Sequence, residues 1–233
     1  MTLKKDKRLD TADKTAIFFY LFFFVGVLGF ALSATRAAML AMVKYVLLAC
    51  AVLLFVNIYR GLKRQDMPKF IGWCVFVFLA TVFLEALGVN YGLVFGAYIY
   101  SDVLGLKVFG VPLIIGINWL TVILGSISLL NAITHRTFLF VLGVGGCAFL
   151  FDYLLEPAAI YLGFWQWEGA IPVQNYAAWF IIAAICAAIF KHTKLSFNGR
   201  VARSLLAAQT LFFIGIRLLM RFSLNGDNLL RLF

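Results

Sequence analysis

The sequence predicts an all-α integral membrane protein: one transmembrane domain over residues 1–233, built as a bundle of about seven helices, with the N-terminus cytoplasmic. Three observations lead there. The chain is 64% hydrophobic and 17% aromatic with only 13% charged residues, and its mean hydropathy is +0.99, far from the balance of a soluble domain. A hydrocarbon core of roughly 30 Å needs about 20 apolar helical residues to cross it, and runs of that kind lie near 15–33, 39–59, 70–87, 112–131, 137–161, 176–191 and 201–220. The basic residues fall in alternate connections, as the positive-inside rule requires of cytoplasmic loops.

Taken in order, the basic clusters are Lys4, Lys5, Lys7, Arg8 and Lys14 before the first run, and Arg60, Lys63, Arg64 and Lys69 after the second. Arg136 follows the fourth run, and Lys191, Lys194, Arg200 and Arg203 surround the connection between the sixth and seventh. The other connections, near 34–38, 88–111 and 162–175, carry only Arg36 and Lys107 as cations and are assigned to the outer side of the cell's cytoplasmic (inner) membrane. Arg221 and Arg231, beyond the last run, depart from this pattern. The 88–111 connection is unusually apolar and aromatic, with glycines at 88, 92 and 96, which suits a re-entrant segment packed against protein. The charged opening lacks a small-residue cleavage site after its apolar run, so the first run is expected to stay as a helix.

Composition also excludes some functions. The net charge of +10 sits in short inter-helix clusters and not along one polar face, so nucleic acid is not an expected partner. The four cysteines, Cys50, Cys74, Cys147 and Cys186, lie inside apolar runs without CxxC spacing and are expected as small core residues. The two histidines, His135 and His192, are expected in cytoplasmic loops far from the polar residues of the spans, so the clustered ligands of an oxygen-activating iron site or a haem are not available. No Walker loop, dinucleotide fingerprint or GxSxG elbow occurs. No cofactor and no metal is expected; carboxylates and water are left to do the chemistry.

Those carboxylates sit at one depth. With a rise of about 1.5 Å per residue, Glu85, Asp152 and Arg217 lie roughly 21 to 22 Å from the cytoplasmic ends of their runs. Lys44 and Asn118 lie roughly 8 to 9 Å below the outer boundary, which is the same level, toward the outer leaflet. Glu156 follows Asp152 by one turn on the same helical face, and Asn175 stands at the mouth. A charge at the centre of a span costs on the order of 2.5 to 3.5 kcal/mol, so such groups should face one another across a shared cavity. One arrangement is a structural belt in which Arg217 pairs with Asp152 or Glu85 while Lys44 snorkels outward. The other is catalytic: three acids face at most two cations, and a protonated carboxylic acid beside an ionised one is the usual equipment for acid–base chemistry. Asn118 and Asn175 are then candidates to position water, with Arg217 fixing the ionised carboxylate. Trp119, Trp165, Trp167 and Trp179, with Tyr91, Tyr98 and Tyr100, gather near the outer face; some of them, Tyr98, Trp119, Trp165 and Trp179 above all, are candidates to line a substrate site, although an interfacial aromatic belt has the same composition. Gly143, Gly145 and Gly146 suggest a close helix contact. Pro157 leaves the Tyr153 carbonyl without its helical donor.

Two blocks resemble a known family. The segments EALG from Glu85, FGAYIY from Phe95, GVPLIIGINW from Gly110, DYLLEP from Asp152, GFWQW from Gly163 and IPVQNYAAWF from Ile171 are similar to those of CruF-type carotenoid 1,2-hydratases of the carotenoid biosynthesis family. The resemblance implies addition of water to the terminal C1,C2 double bond of an acyclic carotenoid end, giving a tertiary alcohol without a redox cofactor, in substrates such as lycopene or gamma-carotene. It implies a carotenoid dissolved in the lipid bilayer as substrate and other carotenoid biosynthesis enzymes as partners, and the reaction it implies agrees with the catalytic arrangement of Glu85, Asp152 and Glu156 read from the residues. A weaker similarity reaches the small membrane lycopene cyclases. Those carry a Pro-x-Glu-Glu sequence where this chain has Pro172, Val173, Gln174 and Asn175, which argues against cyclisation. A transporter or carotenoid-binding scaffold using the same polar layer is the non-enzymatic alternative.

Overall fold

The fold follows from seven apolar helices that alternate in direction. The computed structural model describes residues 10–230, with side chains through Phe222. The helices are α1 (Thr11–Ala31), α2 (Ser33–Gly61), α3 (Met67–Tyr91), α4 (Leu113–Ile133), α5 (Thr137–Tyr161), α6 (Val173–Thr193) and α7 (Arg200–Leu230). All seven are long and apolar enough to cross a membrane. The cations at 4, 5, 7, 8 and 231 lie outside the described residues.

Local chemistry sets the ends. Asp10 caps α1 by accepting the Asp13 amide at 2.8 Å. The connection expected at 34–38 is instead helical: α1 and α2 meet at the extended Leu32, and the Thr35 hydroxyl donates to the Gly29 carbonyl at 2.6 Å to close the corner. Pro68 opens α3, where its missing amide is harmless. Gly92 ends α3 in the left-handed conformation, with its amide on the Gly88 carbonyl and the Leu93 amide on the Leu87 carbonyl.

Helix α4 is the axis of the bundle. Its apolar window is 78% buried, against 44% or less in every other helix. Around it, α1 packs on α7, α5 on α6, and α3 on α4. Close approach depends on small residues. A Cβ at Gly125 of α4 would come within 3.0 Å of the Ala202 carbonyl of α7, and one at Gly145 of α5 within 2.8 Å of the Phe180 carbonyl of α6. Of the three glycines expected at a helix contact, Gly143 meets Leu130 and Gly145 meets α6, while Gly146 faces open space. Cys50 and Cys186 are buried, and Cys74 and Cys147 are half-buried, all as free thiols.

Opposite ends of the bundle are tied separately. At one end Arg200 of α7 binds Asp10 at 3.0 Å and Asp13 at 2.7 Å, joining the starts of α1 and α7. At the other, Arg36 of α2 donates to the hydroxyl and carbonyl of Tyr161 at the end of α5. This second end carries a folded cap. The 88–111 connection, expected to pack against protein, forms strand β1 (Tyr98–Tyr100), a 3-10 turn (Asp102–Leu104) and strand β2 (Lys107–Val108). Strand β2 pairs with β3 (Val111–Pro112), which leads into α4. Strand β1 pairs antiparallel with β4 (Trp165–Trp167) from the α5–α6 connection, in the register Tyr98 with Trp167 and Tyr100 with Trp165. Positive φ at Gly92, Gly96, Gly105 and Gly110 supplies the tight turns this compact cap needs.

The α5–α6 contact is directly testable. Gly145→Ala must displace the Phe180 backbone and should destabilise the protein by about 1–3 kcal/mol, whereas Gly146→Ala should be neutral or slightly stabilising. Thermal unfolding in detergent measures both; equal midpoints for the two variants would contradict the close contact.

Candidate active site

Strands alternate their side chains between two faces, and this places four aromatic residues of the cap on one side. Tyr98 and Tyr100 of β1, and Trp165 and Trp167 of β4, face the bundle, while Ile99 and Gln166 between them are exposed. Beneath the ribbon lie Glu85 near the end of α3, and Asp152 and Glu156 on α5, each 3% exposed or less.

Each strand serves one glutamate. Tyr98 and Tyr100 donate their hydroxyls to Glu85 Oε2, the latter at 2.8 Å, and Trp119 of α4 donates to Glu85 Oε1 at 2.9 Å. Trp165 and Trp167 donate their indole N–H groups to Glu156 Oε2 at 3.0 and 2.8 Å. Asn175 of α6 bridges the two acids of α5, donating to Asp152 Oδ2 at 2.6 Å and to Glu156 Oε1 at 3.3 Å. Asp152 Oδ1 is buried without a hydrogen-bond partner. Burial first, and then the neighbouring Glu85, pushes the Tyr98 and Tyr100 phenols well above their usual range, so both remain protonated donors. The rings pack closely as well. Tyr98 lies 4.7 Å from Trp167, Tyr100 lies 5.6 Å from Trp165, and Trp119 stacks on Trp179 at 3.7 Å.

Neither expected cation joins this cluster. Arg217 donates to the Tyr153 carbonyl at 2.9 Å, with its guanidinium 5.2 Å from the Tyr153 ring. That carbonyl is the one Pro157 deprives of its helical donor, so Arg217 repairs the backbone of α5 and does not fix a carboxylate. Lys44 packs its stem beside Gly105 of the cap, with its ammonium 5.4 Å from the Tyr45 ring. Depth along a helix does not fix the direction in which that helix presents a side chain. Among the described residues, no Lys or Arg forms an ion pair with Glu85, Asp152 or Glu156.

Between the two glutamates is a cavity of about 20 Å³, bordered by Glu85, Glu156, Tyr98, Tyr100, Asn175 and Trp179, among others. It has room for one water molecule, which needs on the order of 10–15 Å³ by this measure. Asp152 lies behind Asn175 and does not border it. Next to it is a much larger apolar cleft of about 300 Å³ between α1, α2, α4 and α7, walled by side chains such as Phe23, Met39, Val43, Phe212 and Phe213. Its rim includes Phe22, Val25 and Met42, which are exposed on the outer surface of the bundle. Ile115, Asn118, Leu155 and Trp165 border both spaces and form the partition between them.

Of the residues singled out from sequence, Glu85, Glu156, Asn118, Asn175, Tyr98, Trp165 and Trp179 border the cavity, while Trp119 and Asp152 support it from behind. Tyr100 and Trp167, named in the same aromatic group, border the cavity as well, whereas Tyr91 is exposed. Gln209 was not singled out, because it is a lone amide in an apolar run.

The carotenoid biosynthesis protein family matches the chain over residues 41–226. The bisanhydrobacterioruberin hydratase of Haloarcula japonica is 32% identical over 106 residues, a stretch covering 43% of this chain and 34% of that protein, so the match spans about a third of the relative's length. No solved structure matches the chain. The family match runs from within α2 into α7 and encloses all three acids with every donor that holds them; the chain belongs to the carotenoid biosynthesis protein family.

Proposed function

We propose that the protein is a carotenoid 1,2-hydratase, a hydro-lyase working in the hydration direction on the terminal C1,C2 double bond of an acyclic carotenoid. The observation that carries this reading is the junction of two unlike spaces: a water-sized cavity between two buried carboxyl groups, sharing a wall of four side chains with a much larger apolar cleft whose rim includes side chains exposed on the outer surface of the bundle. A rod-like polyene suits the cleft, and its end would meet the acids at Ile115, Asn118, Leu155 and Trp165. The family membership and the name of the Haloarcula relative support the same substrate class.

The chemistry needs only the chain's own groups. A protonated carboxyl delivers its proton to C2; the π electrons of C1=C2 form the new C–H bond and leave a tertiary cation at C1. The oxygen of a water molecule bonds to C1, and the water's surplus proton passes to the second, ionised carboxylate. The sum is addition of one water, and the two carboxyls have exchanged protonation states. Glu85 and Glu156 border the cavity and are assigned these two roles, while Asp152 acts through Asn175 to hold Glu156 in place. The faces of Trp165, Trp167 and Trp179 surround the reacting carbon and stabilise the transient cation. The site is assigned to the outer leaflet of the cytoplasmic membrane, because the basic connections lie at the end away from the cap.

Expression in cells that accumulate lycopene tests the reading: the product should be heavier by one water. Glu85→Gln and Glu156→Gln should each lower its formation by about 10²–10⁴-fold, and Asp152→Asn by less. Undiminished conversion in either glutamine variant would remove that residue from the mechanism, and a ring-containing product of unchanged mass would favour a cyclase. Sidedness is checked by Glu168→Cys on the exposed edge of the cap, which should react with an impermeant thiol reagent added outside; labelling confined to inverted vesicles would reverse the orientation.

A further inference from the structure

The wall of the cleft holds one buried polar group that the proton transfers leave unused. Gln209 of α7 is 2% exposed, and its carboxamide oxygen makes no hydrogen bond within the protein. Its Nε2 lies 3.5 Å from Asn118 Oδ1, at the limit of hydrogen bonding. Around it the cleft is aliphatic and aromatic, with Phe212 and Phe213 on the same helix and Leu104, Ile115 and Leu155 nearby. A leucine would fill such a position without leaving a buried oxygen unpaired, which is costly. The contents of the cleft must therefore supply a donor. A hydrocarbon polyene has none.

Asn118 is the complementary half. It borders both the cleft and the acid-lined cavity, and among the described residues its Nδ2 donates to no protein acceptor. A free amide oxygen in the wall of the cleft thus stands beside a free amide N–H in the partition, and through Asn118 the pair reaches the cavity that the two glutamates border. Resting on the hydratase reading, we infer that Gln209 and Asn118 hold the attacking water and, after reaction, the hydroxyl of the tertiary alcohol.

A water molecule has four hydrogen-bonding directions, and this arrangement gives each a use. One O–H points to Gln209 Oε1 and the other to the glutamate that acts as base. One lone pair accepts from Asn118 Nδ2, leaving the second free to bond to C1. When the C–O bond forms, the proton on the base side leaves and the remaining O–H stays on Gln209. Gln209 is a positioning residue: protonation of C2 does not require it, but capture of the cation by water does.

That division gives a readout separate from overall activity. In heavy water the acid adds a deuteron to C2. If water then fails to attack, loss of a proton from C2 regenerates the double bond, now carrying deuterium. Full-length wild type and Gln209→Leu, reconstituted with lycopene in heavy water, should differ in the ratio of deuterium-exchanged lycopene to hydrated product. The expected rise in the leucine variant is on the order of tenfold, as for loss of one hydrogen bond to the water. Gln209→Glu, isosteric and still an acceptor, should keep the ratio closer to that of wild type. Should the leucine variant fail to accumulate, Gln209→Met carries the same expectation. If hydration and exchange fall together with their ratio unchanged, Gln209 only supports the fold and the inference is wrong; a wild-type ratio at wild-type rate also overturns it. Wild type showing neither exchange nor hydration would instead refute the hydratase reading, and this inference with it.

Discussion

Three buried carboxyl groups that meet no countercharge among the described residues are the constraint on which the rest of this structure depends. Inside a bundle of apolar helices, an acid must be given donors or it will not stay there. Ammonium and guanidinium groups are the usual answer, and the sequence offers Lys44 and Arg217, yet neither is used in this way. The donors are neutral: two phenols, three indoles and one amide. Neutral donors orient a carboxyl group without locking it to a fixed positive charge, which leaves its proton available for chemistry.

This choice explains the cap. Four of those donors come from two three-residue strands that belong to different connections, one between α3 and α4 and the other between α5 and α6. Their pairing brings Tyr98 and Tyr100 over Glu85, and Trp165 and Trp167 over Glu156, so the register of one short ribbon fixes the relative position of both acids. Ribbon and acids hold each other: the strands are too short to be stable alone, and the acids need the rings above them. The cap also closes the polar cavity from above, while the apolar cleft remains open at the side between α1, α2 and α7. A water-soluble reactant and a lipid-soluble one can thus meet at the partition formed by Asn118 and Trp165.

Much of this was legible in the sequence, and the parts that were not have identifiable physical reasons. Helix number and placement follow from run length and charge asymmetry, which act on every residue of a span. The common depth of Glu85, Asn118 and Asp152 follows from helical rise. What a depth count does not encode is azimuth: Arg217 faces the carbonyl that Pro157 frees, a partner visible in the sequence at Tyr153 and not connected to it there. The apolar, glycine-rich character of the 88–111 connection pointed to a segment packed against protein, and its side chains roof a buried site while its glycines make turns. Strands of three residues carry too little periodicity to declare themselves, although Tyr-Ile-Tyr and Trp-Gln-Trp already held the alternation. Gln209 had no motif around it and became informative only when its oxygen proved to be unpaired.

The central claim is that the oxygen placed on the substrate comes from a water molecule held beside two carboxyl groups. The most direct measurement is to incubate the purified, reconstituted protein with an acyclic carotenoid in ¹⁸O-labelled water, with dioxygen removed, and to read the product by mass spectrometry. The account predicts a tertiary alcohol carrying one ¹⁸O at each modified end. A product whose oxygen is unlabelled, or formation that stops when dioxygen is withdrawn, would contradict it.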